Sequence, residues 1–427
     1  MDRDNYKNNK GQTKGMALET VRGMRDFLPE VKIDRDSIIS IIRETFEKYG
    51  FVPLETPVLE NAELLKGKYG DEEKLIYEFK DKGGRRLAMR YDLTVPLARV
   101  VSTKNFSWPL KRYAIDRVWR YDRPQKGRYR EFYQCDVDII GVKGFMADAE
   151  IIACINEALT RVGLREFTFR INSRELMNML MIDVGVSNKN ISRALRIIDK
   201  LDKIGKKGVE KELNSFLSKQ TVNELMTFIN LKGSWESISK NLLIDNPIRS
   251  EMQSFLNTLK KFGVKNYIID FSLARGLSYY TGIIFEVDAG PKIGSLGGGG
   301  RYDEMIYQLS GKEVPATGGS IGIERVIDLL GIQGKKSLTD VFVVPIGTAT
   351  PICITLVQRL RKNGVKAEVD LMDRSLSKNL DYISKQGIPY ALIVGQSEIG
   401  AKKYKLKNMK TGKEQLMTFD ALLKKLR

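Results

Sequence analysis

The stretch RVWRYDRPQKGRYREFYQCDVDIIG, residues 117–141, places Arg117, Arg120, Arg123, Arg128 and Arg130 ahead of Glu131, Asp136 and Asp138. Guanidinium groups at this density suit phosphates, and the carboxylates that follow suit cationic or proton-donating groups. The spacing predicts a hairpin: a strand ending near Asp122, a basic tip of Arg123, Pro124, Gln125, Lys126, Gly127, Arg128, Tyr129 and Arg130, and a return strand from Glu131. Alternation sets Phe132, Gln134, Asp136 and Asp138 on one face of the return strand and Tyr133, Cys135, Val137 and Ile139 on the other. Such a polar face fits a binding site; it equally fits the wet side of an antiparallel sheet with a solvated turn.

Other stretches add groups of the same kind. In MRYDLTVPLARV, Asp92 and Thr94 are two apart, so they share a face if extended or cap the helix that Pro96 favours. Gly297–Gly300 in LGGGGRYDEMI let a backbone approach a ligand or make a bend. Glu324 and Arg325 sit in an apolar helical pattern, GGSIGIERVIDLL, where the arginine is either ligand-facing or superficial. DFSLARGLSYYTGIIFEV, residues 270–287, sets Arg275, Tyr279 and Tyr280 at the mouth of a β-branched, aromatic run. There is no Walker A pattern and no GxGxxG after a strand, so arginines must hold the phosphates of any bound nucleotide.

Composition excludes much else. The chain has no histidine, which removes triads, HExxH zinc sites and the commonest general base. Its three cysteines, Cys135, Cys154 and Cys353, lack CxxC spacing, and no metal site is assigned. No apolar window approaches a membrane span and no leader-like segment opens the chain, so a cytoplasmic protein is expected. The net charge of +18 suggests a polyanionic partner.

These residues need a scaffold of 427 residues, which the length prior divides into two or three domains. Residues 1–18 read as a disordered tail and 19–330 as a mainly antiparallel α+β domain, interrupted at about 175–262 by a helical insertion. Pro53 and Pro57 in VPLETPVLE suggest an edge strand or a subunit interface. Residues 331–339 read as a linker. From 340 to 427 the pattern becomes βαβαβ, an α/β module carrying 16 Lys+Arg against 8 Asp+Glu.

Taken in order, the 117–141 hairpin, ARGLSYYTG, GGGGRYD and GIERV resemble motif 2, the histidine-specific motif and motif 3 of histidyl-tRNA synthetases. GFVPLETPVLE looks like motif 1, VRGMRDFLPE resembles that family's N-terminal signature, and the last module is similar to an anticodon-binding domain. The resemblance spans about residues 20–427 and implies a class II synthetase fold. It also implies a homodimer that uses ATP and Mg²⁺ to join L-histidine to tRNA(His). Arg120 and Arg275 are then the catalytic arginines at the α-phosphate, with Arg128 and Arg325 as further ATP contacts. Asp92, Thr94 and Gln134 match the α-amino ligands, Asp138 and Tyr280 the imidazole ligands, with Tyr279 and Arg275 completing the pocket; Arg123, Gln125 and Lys126 match acceptor-end contacts. Strict alternation puts Arg275 and Tyr280 on opposite faces, so a turn or bulge near Gly276 is expected. The family usually has aspartate where this chain has Ser278 and glutamate at Asp92 and Asp138, so two carboxylates stand back by a methylene.

The implied chemistry does without histidine side chains. The attacking carboxylate of an amino acid, with a pKa of roughly 3.5, is ionised at neutral pH and needs no general base. Adenylation needs in-line positioning and neutralised phosphate charge. The rival reading is a non-catalytic, histidine-binding regulatory paralogue resembling the regulatory subunit of ATP phosphoribosyltransferase. Such proteins usually lack the anticodon module and the ATP arginines, both of which this sequence carries.

Overall fold

The computed structural model describes residues 18–67, 70–125, 127–240, 247–274, 280–291, 293–331 and 333–426. It divides into two compact units, one made of residues up to Asp26 with Ile41–Leu330, the other of Phe27–Ser40 with Gly331–Arg427. No local pattern marks Phe27–Ser40 as grouping with the C-terminal residues.

The first unit is built on a nine-stranded sheet. Its strands are β1 (Val52–Pro53), β2 (Leu110–Trp119), β3 (Glu131–Ile140), β4 (Thr168–Ser173), β5 (Lys232–Gly233), β6 (Tyr267–Asp270), β7 (Ile283–Asp288), β8 (Ser295–Arg301) and β9 (Ala316–Gly322). They lie in the order β1-β2-β3-β9-β8-β7-β4-β6-β5 and pair antiparallel except at β1–β2 and β4–β6. The proline-bearing strand β1 is indeed an edge, where its missing N–H costs the sheet nothing. The β2–β3 hairpin runs in unbroken register from Leu110↔Ile140 to Trp119↔Glu131.

One face of this sheet is apolar and packed. Cys135, Val137 and Ile139 of β3 are buried there, and helix Met146–Arg161 lies on them through residues such as Ile151 and Ile155. Gly319 on β9 makes that contact possible, since a Cβ there would stand 2.6 Å from Phe285 and 2.7 Å from Ile155. Between β4 and β6 the chain forms helices Arg174–Asp183, Asn188–Ile198, Leu201–Leu213, Lys219–Ile229, Trp235–Ser239 and Pro247–Lys261. This segment also supplies β5 to the far edge of the sheet.

The second unit carries a five-stranded sheet. Strands β10 (Val341–Pro345), β11 (Ala367–Val369) and β12 (Tyr390–Val394) pair in parallel, joined by helices Thr350–Lys362 and Leu376–Gln386. This is the βαβαβ pattern expected from the sequence. Two antiparallel strands, β13 (Tyr404–Asn408) and β14 (Glu414–Met417), extend it beyond β12. The sequence hid them because Leu406 is the only residue of YKLKN that is buried, which leaves almost no alternation to read.

Candidate active site

The second face of the large sheet is polar, and the register assembles it row by row. Asp138 on β3 lies between Arg112 on β2 and Gly318 on β9, with Gly300 of β8 beyond. Asp136 lies between Ala114 and Ser320, followed by Gly298 and Glu286. Gln134 lies between Asp116 and Gly322. Small residues from three strands thus make a floor from which Gln134, Asp136 and Asp138 rise, on the face that alternation assigned to them.

Asp138 is 2% exposed and is held on both oxygens. Arg112, itself 1% exposed, stands 2.9 Å from Oδ2, and the Tyr302 hydroxyl donates to Oδ1 at 2.5 Å. Burial pushes the Asp138 carboxyl upward, while Arg112 and the Tyr302 hydroxyl oppose the rise. Arg112 also donates to the Leu93 carbonyl at 2.9 Å, so it is fixed from two sides. Gly318 must be glycine here, because a Cβ would fall 2.0 Å from Asp138 Oδ1.

Asp136 is 3% exposed, and its Oδ1 has no hydrogen-bond partner among the described residues. Burial pushes it up to about 7 against the pull of Arg112, with Asp138 adding to the rise. Gln134 Nε2 donates to Ser320 Oγ at 2.9 Å, while Gln134 Oε1 is buried without a hydrogen-bond partner among the described residues. Buried, unsatisfied acceptors are costly and cluster where a ligand completes them.

Around this floor the predicted groups take different places. Asp92 Oδ1 accepts the backbone N–H groups of Thr94 and Val95 at 3.1 and 3.0 Å, capping helix Thr94–Thr103 and so fixing both predicted ligands beside Arg112. Arg120 lies with its guanidinium 4.2 Å from the Tyr91 ring centroid and 5.2 Å from that of Phe132, at the Gln134 end of the floor. Arg325 donates to the Ser295 carbonyl and, at 3.4 Å, to that of Gly127, which ties helix Ile323–Leu330 to the hairpin tip. Arg128 is paired with Asp122 at 2.8 Å. Arg123 and Gln125 are exposed on the tip. Tyr280 packs against Gly300, two strands from Asp138. Arg275, Tyr279 and Lys126, with the turn expected near Gly276, lie outside the described residues.

A strap crosses the hairpin from the N-terminal side. Gly23 O accepts the Arg130 N–H at 2.9 Å, and the Arg25 guanidinium lies 3.2 Å from the Tyr129 ring centroid. Arg25 also pairs at 2.7 Å with Glu324, whose other oxygen accepts the Tyr133 N–H. A 490 Å³ cavity, lined in part by Phe145, Phe255, Tyr307 and Arg301, lies instead on the apolar side of the sheet, where Arg301 is saturated by Asp148 and neighbouring carbonyls. The polar floor is the better candidate for chemistry.

The family model described as Histidyl-tRNA synthetase matches residues 23–326, and the one described as Anticodon binding domain matches residues 340–427. The histidine–tRNA ligase of Clostridium tetani is 37% identical over 94% of this chain and 96% of its own. The chain belongs to the histidyl-tRNA synthetase family. Among solved structures, the histidyl-tRNA synthetase from Nostoc superposes with a TM-score of 0.85 at 29% identity, covering 96% of this chain and 99% of that one. A Bacillus halodurans protein described as an ATP phosphoribosyltransferase regulatory subunit/histidyl-tRNA synthetase gives 0.75 at 26%, covering 90% and 100%. Within this synthetase family member, sequence reasoning left Arg112, Asp136, Tyr302 and Ser320 without a role. Asp136 had a signal in its alternation with Gln134 and Asp138; Arg112 had none, because only the β2–β3 register brings it to Asp138.

Proposed function

We propose that the chain activates L-histidine with ATP as histidyl-adenylate and transfers it to the 3′ end of tRNA(His). The observation that carries the reading is the buried row of Gln134, Asp136 and Asp138 on a floor of small residues, with Arg120 at one end and the Arg112–Asp138 pair at the other. A ligand lying along β3 would meet hydrogen-bond acceptors for its ammonium and imidazole N–H groups, and a guanidinium where its carboxylate meets the α-phosphate. Substrates lacking the imidazole would leave buried polar groups unpaired, the strong form of rejection. Asp138 and Tyr280 are proposed to read the imidazole; Asp92, Thr94 and Gln134 the α-ammonium, with Tyr279 lining the pocket. Arg120, Arg275, Arg128 and Arg325 would neutralise the phosphates as the α-phosphorus–oxygen bond to pyrophosphate breaks.

Among the described residues no cluster of acids or thiols forms a metal cage. Mg²⁺ is therefore proposed to arrive with ATP, held mainly by phosphate oxygens and water, as this reluctantly dehydrated ion commonly is. Arg123, Gln125 and Lys126 are proposed for the tRNA acceptor end and the C-terminal unit for the anticodon. We also propose a cytoplasmic homodimer. No described helix is long and apolar enough to cross a membrane, and the edge strand β1 with Val52, 52% exposed, and the nearby Leu59 offers an apolar surface to a second copy.

The test is ATP–pyrophosphate exchange with each amino acid. Exchange stimulated by histidine alone, and reduced about a hundredfold or more by Arg275→Ala, is expected. Histidine binding without exchange would instead favour the regulatory reading carried in the description of the Bacillus halodurans neighbour.

A further inference from the structure

The 490 Å³ cavity on the apolar side of the large sheet takes no part in the amino-acid site, yet its volume suits a small molecule. Its walls come from helices Met146–Arg161, Arg174–Asp183, Pro247–Lys261 and Asp303–Ser310 and the strands beneath them. The lining is sorted by depth. Met252 and Phe255 are buried, and Phe145 meets the Phe255 ring nearly at right angles, with centroids 6.2 Å apart. Glu175, Glu251, Glu304 and Glu313 are exposed and form the mouth. Charge is sorted in the same way. At the floor Asp148 is fully engaged, with Oδ2 accepting from Arg301 at 2.6 Å and Oδ1 from the Thr317 hydroxyl at 2.7 Å. Asp303 accepts from Arg301 at 3.2 Å and from the Ala316 N–H at 2.8 Å. By contrast, none of the four glutamate carboxylates has an ion pair or side-chain hydrogen bond among the described residues.

The cations near these glutamates are Lys143, on the lining itself, and Arg174, close to Glu304. Four carboxylates against two cations leave an acidic mouth on a chain whose net charge is +18. Burial pushes the Glu175 carboxyl upward, and the Glu251 charge adds to the rise. A cleft lined by one sign of charge over low-dielectric walls concentrates ions of the other sign, so this one draws cations and turns a polyanion away. We propose that the cavity is a second ligand site, for a small organic amine that lays an apolar body on Phe145, Met252 and Phe255 and holds its ammonium among Glu175, Glu251, Glu304 and Glu313. Both halves are needed: the floor alone would serve a neutral hydrocarbon, and the mouth alone a hydrated inorganic cation. The site shares none of these residues with the histidine-activating floor and does not rest on that reading.

The test measures binding to the full-length chain by calorimetry with four probes. 4-Phenylbutylamine carries both the apolar body and the charge, 4-phenylbutanol the body alone, butylamine the charge with little body, and 4-phenylbutyrate the opposite charge. The phenylamine is expected to bind one per chain, the alcohol and butylamine about tenfold or more weakly, and the butyrate not at all. Replacing two exposed rim carboxylates together, Glu175→Gln with Glu251→Gln, should weaken the phenylamine about fivefold, the combined loss of two rim ion pairs. The same variant should leave the alcohol within about twofold and histidine-dependent pyrophosphate exchange unchanged. Saturating histidine should not displace the phenylamine. No binding of the phenylamine, equal binding of all four probes, or a double variant that binds it like wild type would overturn the proposal. Displacement by histidine would overturn it too, by placing the amine on the polar floor.

Discussion

Asp136 is a buried carboxyl whose cost to the fold depends on pH. Its carboxyl stands at about 7 in the folded chain against an ordinary 3.8, so between those values the folded state holds a proton that the unfolded chain has released. Stability contributed by this group therefore falls as pH rises from about 4 to 7 and is level above. Asp136→Asn removes that penalty. Calorimetric unfolding should show a higher midpoint for the variant at pH 8 and little difference from wild type near pH 4. An unchanged midpoint at pH 8 would show that water or Arg112 relieves the burial. At this scale the sequence was informative about residue types and poor about partners. Alternation along QCDVD put Gln134, Asp136 and Asp138 on one face, but the groups that hold them, Arg112, Ser320 and Tyr302, come from other elements.

Among the elements, the β2–β3 hairpin was the most legible, since its turn residues and period-two pattern are local. The return strand does begin at Glu131. The glycine run was left open between two uses, a backbone close to a ligand and a bend. Gly297–Gly300 is not a bend; it is the body of β8, where the backbone of the neighbouring strands, with Tyr280 beside Gly300, leaves no room for a Cβ. Local sequence cannot separate these uses, because the requirement for glycine comes from the strands alongside. Gly318 carries the same logic to the site. Gly318→Ala would drive Asp138 and its Tyr302 and Arg112 partners from their positions, and we expect histidine-dependent exchange to fall about a hundredfold, the scale on which small misplacements act. Circular dichroism should show the sheet retained; full activity in the variant would mean that Asp138 has freedom the packing denies it.

Over the whole molecule, charge carries the prediction. The chain is at +18, and residues 340–427 hold 16 Lys+Arg against 8 Asp+Glu. Binding to a polyanion through such groups releases condensed counterions, so the KM for tRNA should climb steeply between roughly 50 and 200 mM salt. Pyrophosphate exchange, which needs no tRNA, should barely respond. Parallel salt dependence of both would place the ionic sensitivity in the amino-acid site. The βαβαβ pattern after residue 340 was legible because helix and strand periods alternate abruptly there. The grouping of Phe27–Ser40 with the C-terminal residues was not, since no local pattern encodes which distant core a helix joins.

The strap over the hairpin also bears on how the gene is read. Its contacts come from Arg22, Gly23 and Arg25, so that of two possible initiator codons Met16 precedes the strap and Met24 falls inside it. Translation begun at Met16 would deliver the strap whole. Begun at Met24, it would replace the Gly23 carbonyl with a mobile chain terminus and set a new ammonium charge beside the arginines of the hairpin. For this coding sequence, a frame shortened by eight codons would spare every recognised motif 2 residue and the Arg25 contacts, and still remove the two carbonyls of Arg22 and Gly23 that accept from Arg130.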